Sequence, residues 1–144
     1  MAGSDRLADE LELRNLVARI AQTADSGTVA EYVALFTEDA AWSMPDNPAA
    51  GLPASEKRGI GEIEAGVHER RASGLQGPGS NTKHVVTTIA IDVRGPDNAL
   101  GHTYWMFFRD TTGQPTVLNM GEYRDEFRRT PEGWRLARRT IVMG

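Results

Sequence analysis

Asn81-Thr82-Lys83-His84-Val85-Val86-Thr87-Thr88-Ile89-Ala90-Ile91 marks the place where the chain changes character. Val, Ile and Thr dominate it, and β-branched side chains suit a pleated strand better than a helix. From here the sequence reads as four strand-like segments, about Thr82–Val93, Ala99–Arg109, Thr116–Arg129 and Trp134–Met143. Their links carry turn residues: Gly95-Pro96-Asp97-Asn98, Asp110-Thr111-Thr112-Gly113 and Thr130-Pro131-Glu132-Gly133. Consecutive strands with links this short form antiparallel hairpins. In the third segment Gly121, Tyr123 and Phe127 share one face, with Asp125 among them. Glu122, Arg124, Glu126 and Arg128 share the other, where alternating charges pair in water. Both faces of the first segment are apolar or Thr, so that strand is expected to be central or covered outside by another subunit.

Upstream of this run the period is helical. Leu13, Leu16, Val17, Ile20 and Ala24 fall on one face of a helix over Asp5 to Ala24, which stops at the turn-forming trio Asp25-Ser26-Gly27. Thr28-Val29-Ala30-Glu31 matches a capping box and opens a second, shorter helix with Val29, Tyr32, Val33 and Phe36 inward. Thr37-Glu38-Asp39 reads as a turn and Ala40–Met44 as a short strand. The proline-rich stretch Pro45 to Ser55 reads as a loop able to cover a pocket, and Ile60, Ile63 and Val67 mark a third helix to about Arg71. The glycines between Ala72 and Ser80 follow no dinucleotide-binding pattern. Helices first and a meander afterwards predict an α+β fold, with the helices packed on one face of a curved antiparallel sheet.

The totals bound the function. A chain of 144 residues, with 40% hydrophobic and 25% charged residues, fits one domain spanning 1–144 with a core of its own. A net charge of -4 leaves no basic footprint for nucleic acid or an anionic membrane. With no cysteine, disulfides, thiol catalysis and cysteine-held metals are excluded. No apolar run reaches the roughly 20 residues that span a bilayer, and Met1-Ala2-Gly3-Ser4-Asp5 lacks the pattern of a secretory signal. A cytoplasmic location is the expectation.

The order of these elements resembles the nuclear-transport-factor-2-like superfamily, and within it the SnoaL-like branch that includes scytalone dehydratase, bile-acid dehydratase and hexachlorocyclohexane dehydrochlorinase. Four pieces carry the resemblance. They are the Leu-rich first helix ending at Asp25, Val33-Ala34-Leu35-Phe36-Thr37-Glu38-Asp39-Ala40-Ala41-Trp42, Thr82-Lys83-His84, and Tyr123-Arg124-Asp125-Glu126-Phe127-Arg128-Arg129 followed by Gly133-Trp134-Arg135-Leu136. The resemblance implies a cone-shaped barrel in which three N-terminal helices and the curved sheet enclose an apolar pocket. It further implies that Asp25 pairs with His84, and that Arg139, five residues after Trp134, reaches the pocket, although whether Arg138 or Arg139 does so stays open. Met44 before Pro45 stands where ketosteroid isomerase keeps its catalytic Asp, so that mechanism is disfavoured. The water-holding tyrosines of scytalone dehydratase have no clear counterpart.

Histidine is the side chain best suited to proton transfer near neutral pH. A carboxylate on one imidazole nitrogen fixes the tautomer and stabilises the imidazolium that forms when the other nitrogen takes a proton. Asp25, His84 and Arg139 are therefore the candidate catalytic residues. Trp42, Met44, Val86, His102, Tyr104, Met106 and Tyr123 are the candidate substrate-binding residues, together with Trp105 or Phe107. Proton abstraction by this dyad would serve dehydration, elimination, isomerisation or cyclisation of a small polyketide-, steroid- or terpenoid-like molecule. No cofactor is expected. Asp25, His84 and His102 would satisfy a two-His-one-carboxylate count, yet their spacing does not call for a metal. Each residue also has a plainer reading: Asp is common in turns, and a lone strand His is more often a hydrogen-bonded structural residue. The rival function is a non-catalytic ligand-binding or oxygenase-subunit-like module, and a homo-oligomer, dimer or trimer, is expected in either case.

Overall fold

The structure, a computed structural model, describes residues 3–144, so Met1 and Ala2 of the N-terminal stretch read above lie outside it. Helix α1 spans Gly3–Ser26 and buries the face predicted for it, with Leu13, Leu16, Val17, Ile20 and Ala24 all in the core. Helix α2, Val29–Val33, begins with the capping box: Glu31 N donates to Thr28 Oγ1 at 3.1 Å and Thr28 N to Glu31 Oε1 at 3.3 Å. Strand β1 runs over Phe36–Met44, a 3-10 turn over Pro48–Ala50, β2 over Ser55–Arg58 and α3 over Ile60–Ala72. The meander follows as β3 (Lys83–Val93), β4 (Asn98–Arg109), β5 (Thr116–Thr130) and β6 (Gly133–Met143). No described helix is long and apolar enough to cross a membrane.

The six strands form one open sheet in the order β2-β1-β6-β5-β4-β3. All neighbours are antiparallel except β1 and β6, which run parallel with Ala41 opposite Arg138 and Trp42 opposite Arg139. Three expectations change here. Phe36–Asp39 belongs to β1 rather than to a helix and a turn, because Phe36 pairs with Leu136 across the sheet and Thr37 is buried. Ser55–Arg58, whose polar sequence carries no strand signal, pairs with β1 as an edge. And β3 is an edge strand rather than a central one. α1 packs against β3 on the helix side, and Val85 is exposed on the other.

The register of β3 breaks between Thr87 and Ala90, where Thr88 takes φ 52. This is a bulge, the usual device for turning an edge strand away from further pairing. Arg14 of α1 caps it by donating to the Ile89 carbonyl at 2.9 Å.

The core lies between the helices and the inner face of the sheet. In β4 that face is Ala99, Gly101, Thr103, Trp105 and Phe107, and in β5 it is Gly121, Tyr123, Asp125 and Phe127. In β6 a bulge at Ala137, between the pairs Phe127–Leu136 and Glu126–Arg138, turns both Leu136 and Arg139 inward. Arg138 is thereby sent outside, where it pairs with Glu126 at 3.2 Å.

Candidate functional site

The last turn of α1 delivers Asp25 to the first residues of β3. Arg71 of α3 holds that helix end in place, its NH2 group donating to the carbonyls of Thr23 at 3.0 Å and Ala24 at 3.3 Å. A cation on terminal carbonyls is the favourable arrangement, and α1 has no basic residue of its own there. Asp25 is buried, and both of its oxygens go to one residue. Oδ2 accepts the His84 backbone N–H at 2.9 Å, and Oδ1 lies 2.6 Å from His84 Nδ1. One carboxylate thus fixes both the strand and the ring. Phe107 closes the imidazole from the side, with ring centroids 4.6 Å apart. With Nδ1 committed to the carboxylate, Nε2 is the ring nitrogen left to accept a proton.

His84 stands in the wall of an inner cavity of about 80 Å³. Of the predicted residues, Trp42, Met44, Tyr123 and Arg139 line the same cavity, and Trp105 and Phe107 both do so. Val86 shares the inward face of β3 but packs against the core rather than facing the open space. His102, Tyr104 and Met106 do not reach it: they occupy the opposite parity of β4, where Tyr104 is 41% exposed and His102 faces Glu122 at 3.4 Å. Both faces of β4 are rich in large apolar side chains, so the strand pattern offers no signal for which one turns in. His102 is therefore parted from Asp25 and His84, and the three do not form a ligand set.

Arg139 is deeply buried, with Nε and NH2 paired to the two oxygens of Asp125 at 2.9 Å each. Its guanidinium lies over the Tyr123 ring, 3.7 Å from the centroid. Burial works against the arginine charge, but the Asp125 carboxylate outweighs it and lifts the pKa above the ordinary arginine value. Burial also pushes the Tyr123 and Tyr32 hydroxyls up, so both remain neutral donors. The two tyrosines line the cavity together. Tyr32 follows the first helix, a place where no pocket tyrosine was expected. Its inward position on α2 was its only signal.

Arg70, Gln76 and Asn119 also line the cavity without having been foreseen. Burial lowers the Arg70 pKa, and its guanidinium sits 5.0 Å from the Trp42 ring centroid. Asn119 Nδ2 and Trp105 Nε1 are buried donors without a protein partner among the described residues. The cavity wall therefore combines one positioned imidazole, neutral hydroxyls, spare N–H donors and aromatic rings. Such a set can take a proton from carbon and hold an oxygen on which charge develops.

Comparison with solved structures gives the fold a second footing. An NTF2-like protein with a cystatin-like fold from Novosphingobium aromaticivorans superposes with a TM-score of 0.79 at 26% identity, covering 96% of this chain and 84% of that one. A protein of the same bacterium named as a candidate scytalone dehydratase gives 0.79 at 18% identity, covering 99% and 89% of the two chains. The beta subunit of a candidate aromatic-ring-hydroxylating dioxygenase from that species gives 0.73 at 19%, covering 97% and 91%. A search among proteins of reviewed function found no match. The SnoaL-like domain family matches residues 5–140, and the chain belongs to that family.

Proposed function

We propose that the protein is a cofactor-independent lyase or isomerase in which the Asp25–His84 dyad removes a proton from carbon. The observation that carries this reading is the 2.6 Å contact between Asp25 Oδ1 and His84 Nδ1 in a cavity wall. His84 Nε2 takes the proton from a carbon next to a carbonyl, and the C–H electrons move onto the carbonyl oxygen. Asp25 stabilises the imidazolium, while donors of the wall, Asn119 Nδ2 among them, hold the enolate oxygen. In a dehydration the enolate then expels a β-hydroxyl, which leaves as water with the proton returned by His84. An isomerisation returns the proton to a different carbon. The cavity admits a compact reacting end of the substrate, and the aromatic walls suit a polyketide- or terpenoid-like ring.

The experiment is turnover of a panel of cyclic β-hydroxy-ketones by the wild type, His84→Ala and Asp25→Asn. Loss of elimination in both variants supports the dyad, and wild-type rates in either sink it. The rival reading, a ligand-binding or oxygenase-subunit-like module, draws on the likeness to the dioxygenase beta subunit. Tight ligand binding without turnover across the panel would favour it. The reading includes a cytoplasmic homo-oligomer. Exposed Val85, Leu100, Tyr104, Val117 and Met120 all lie on β3–β5, and a second copy would cover that outer face. Sedimentation of the wild type as a monomer would end that part of the proposal.

A further inference from the structure

A second pocket of about 300 Å³ adjoins the inner cavity and shares Trp42, Met44, Leu52 and Arg70 with it. The inner space alone is smaller than the roughly 300–1,000 Å³ that a small-molecule site occupies. A substrate whose reacting end meets His84 must therefore extend past Arg70 into the outer pocket.

The outer pocket carries an unbalanced charge. Arg70 and Lys57 both line it, and neither forms an ion pair or a side-chain hydrogen bond with a described residue. They are drawn to one point. A Cβ placed on Gly66 would stand 3.1 Å from Arg70 NH1 and 3.3 Å from Lys57 Cε. The bare glycine, one turn before Arg70 on α3, is what lets the Arg70 guanidinium and the methylene stem of Lys57 fold over the same spot. Lys57 is the cross-strand partner of Trp42, and the guanidinium carbon of Arg70 lies over that indole, 5.0 Å from the ring centroid. A cation–π contact spends none of the guanidinium N–H donors, and no described residue accepts from them, so they can bind an anion. Glu69 is the acid on the pocket wall, so two cations against one carboxylate leave an excess of a single positive charge. A monoanionic group matches that excess, and a planar one matches the fork of Arg70.

We infer that the Arg70–Lys57 pocket binds a carboxylate on the far end of the substrate, so that the chain acts on keto acids or hydroxy-keto acids rather than on neutral rings. The inference rests on the inner cavity being where the substrate reacts, but its test reads binding and not turnover. The probes are 4-oxocyclohexanecarboxylate and its neutral match 4-methylcyclohexanone, titrated into the full chain with tryptophan fluorescence as the readout.

Wild type should bind the acid about tenfold more tightly than the ketone, as expected of a charge-assisted bidentate contact, and the preference should shrink as salt is added. Arg70→Gln should abolish it and Lys57→Gln reduce it. Gly66→Ala supplies the control for folding. Alanine favours a helix interior over glycine, so thermal stability should hold or rise while the preference falls, because the new methyl displaces both cations. His84→Gln should leave the preference unchanged, so a failed dyad and a failed carboxylate site give different results. No preference in the wild type, no binding of the acid, or an unchanged preference in Arg70→Gln would each overturn the inference.

Discussion

Replacing Asp125 with Leu strands a guanidinium in the core, on the inner face of the sheet. The Asp125 side chain is 0% exposed and that of Arg139 5%, and the pair is bidentate at 2.9 Å on both arms. Removing one partner of such a pair costs about 3–5 kcal/mol, most of it the penalty of leaving the other charge buried and alone. Arg139 borders the cavity and keeps the Tyr123 ring beneath it, which places the loss toward the lower end of that range. For a chain of this size it lowers Tm by on the order of 10 °C. The assay is thermal and urea unfolding followed by circular dichroism, with Asp125→Leu, Arg139→Met and the double variant side by side. Both single variants should be strongly destabilised, while the double variant, which buries no lone charge, should lose less than either. A double-variant loss equal to the sum of the single losses would refute the reasoning, since it would mean that the two side chains contribute independently.

Three further outcomes are expected. In Gly121→Ala the new Cβ would lie 2.0 Å from the Val142 carbonyl oxygen and 2.9 Å from the Trp105 ring. The β5–β6 pairing must give way, at a cost of about 3 kcal/mol or more by urea unfolding. Leu136→Ala, at a site with 0% exposure, should cost about 2–5 kcal/mol in the same measurement.

Asp9 accepts from Trp134 Nε1 at 3.0 Å and from Arg129. Burial acts to raise its pKa, but these two donors outweigh it and hold the carboxyl below the usual aspartate value of 3.8. A depressed folded pKa contributes stability that is complete above the unfolded pKa and is lost as pH falls through the folded one. Asp9→Asn should therefore flatten the acid limb of the Tm–pH curve below about pH 4, and an acid limb identical to that of the wild type would count against it.

Much of the architecture was legible because local signals agreed with the tertiary solution. The trio Asp25-Ser26-Gly27 ended α1 within two residues of its place, the capping box opened α2, and the turn residues of the meander bounded β3 to β6 closely. Those signals placed Asp25 and His84 at element ends, but it was the resemblance to the SnoaL-like branch that joined them as a pair. What stayed hidden was set by partners far away in the chain. Ser55–Arg58 is a strand because β1 offers it an edge, not because its polar residues prefer one. Arg139 turns inward because a bulge at Ala137 resets the parity of β6. The outward placement of His102, Tyr104 and Met106 follows from which face of β4 the helices cover. Arg70 reaches the cavity because Gly66 and Trp42 leave room for it, a condition that only the folded chain reveals.

The parallel pairing of β1 with β6 also dictates a sequence of events in folding. Trp42 and Arg139 become neighbours across the sheet, so every intervening strand must be made before β1 finds the edge on which it rests. During synthesis β1 can pair with β2, but the edge of β1 that faces β6 waits with its backbone groups open to water or to other chains. The hairpins of β3 to β6 can meanwhile zip locally, since closing short links costs little entropy and closing a long one costs more. The cavity wall formed by Trp42 is consequently completed last. Until then the site is half-built, and the apolar faces of the first helices have no complete sheet to cover them.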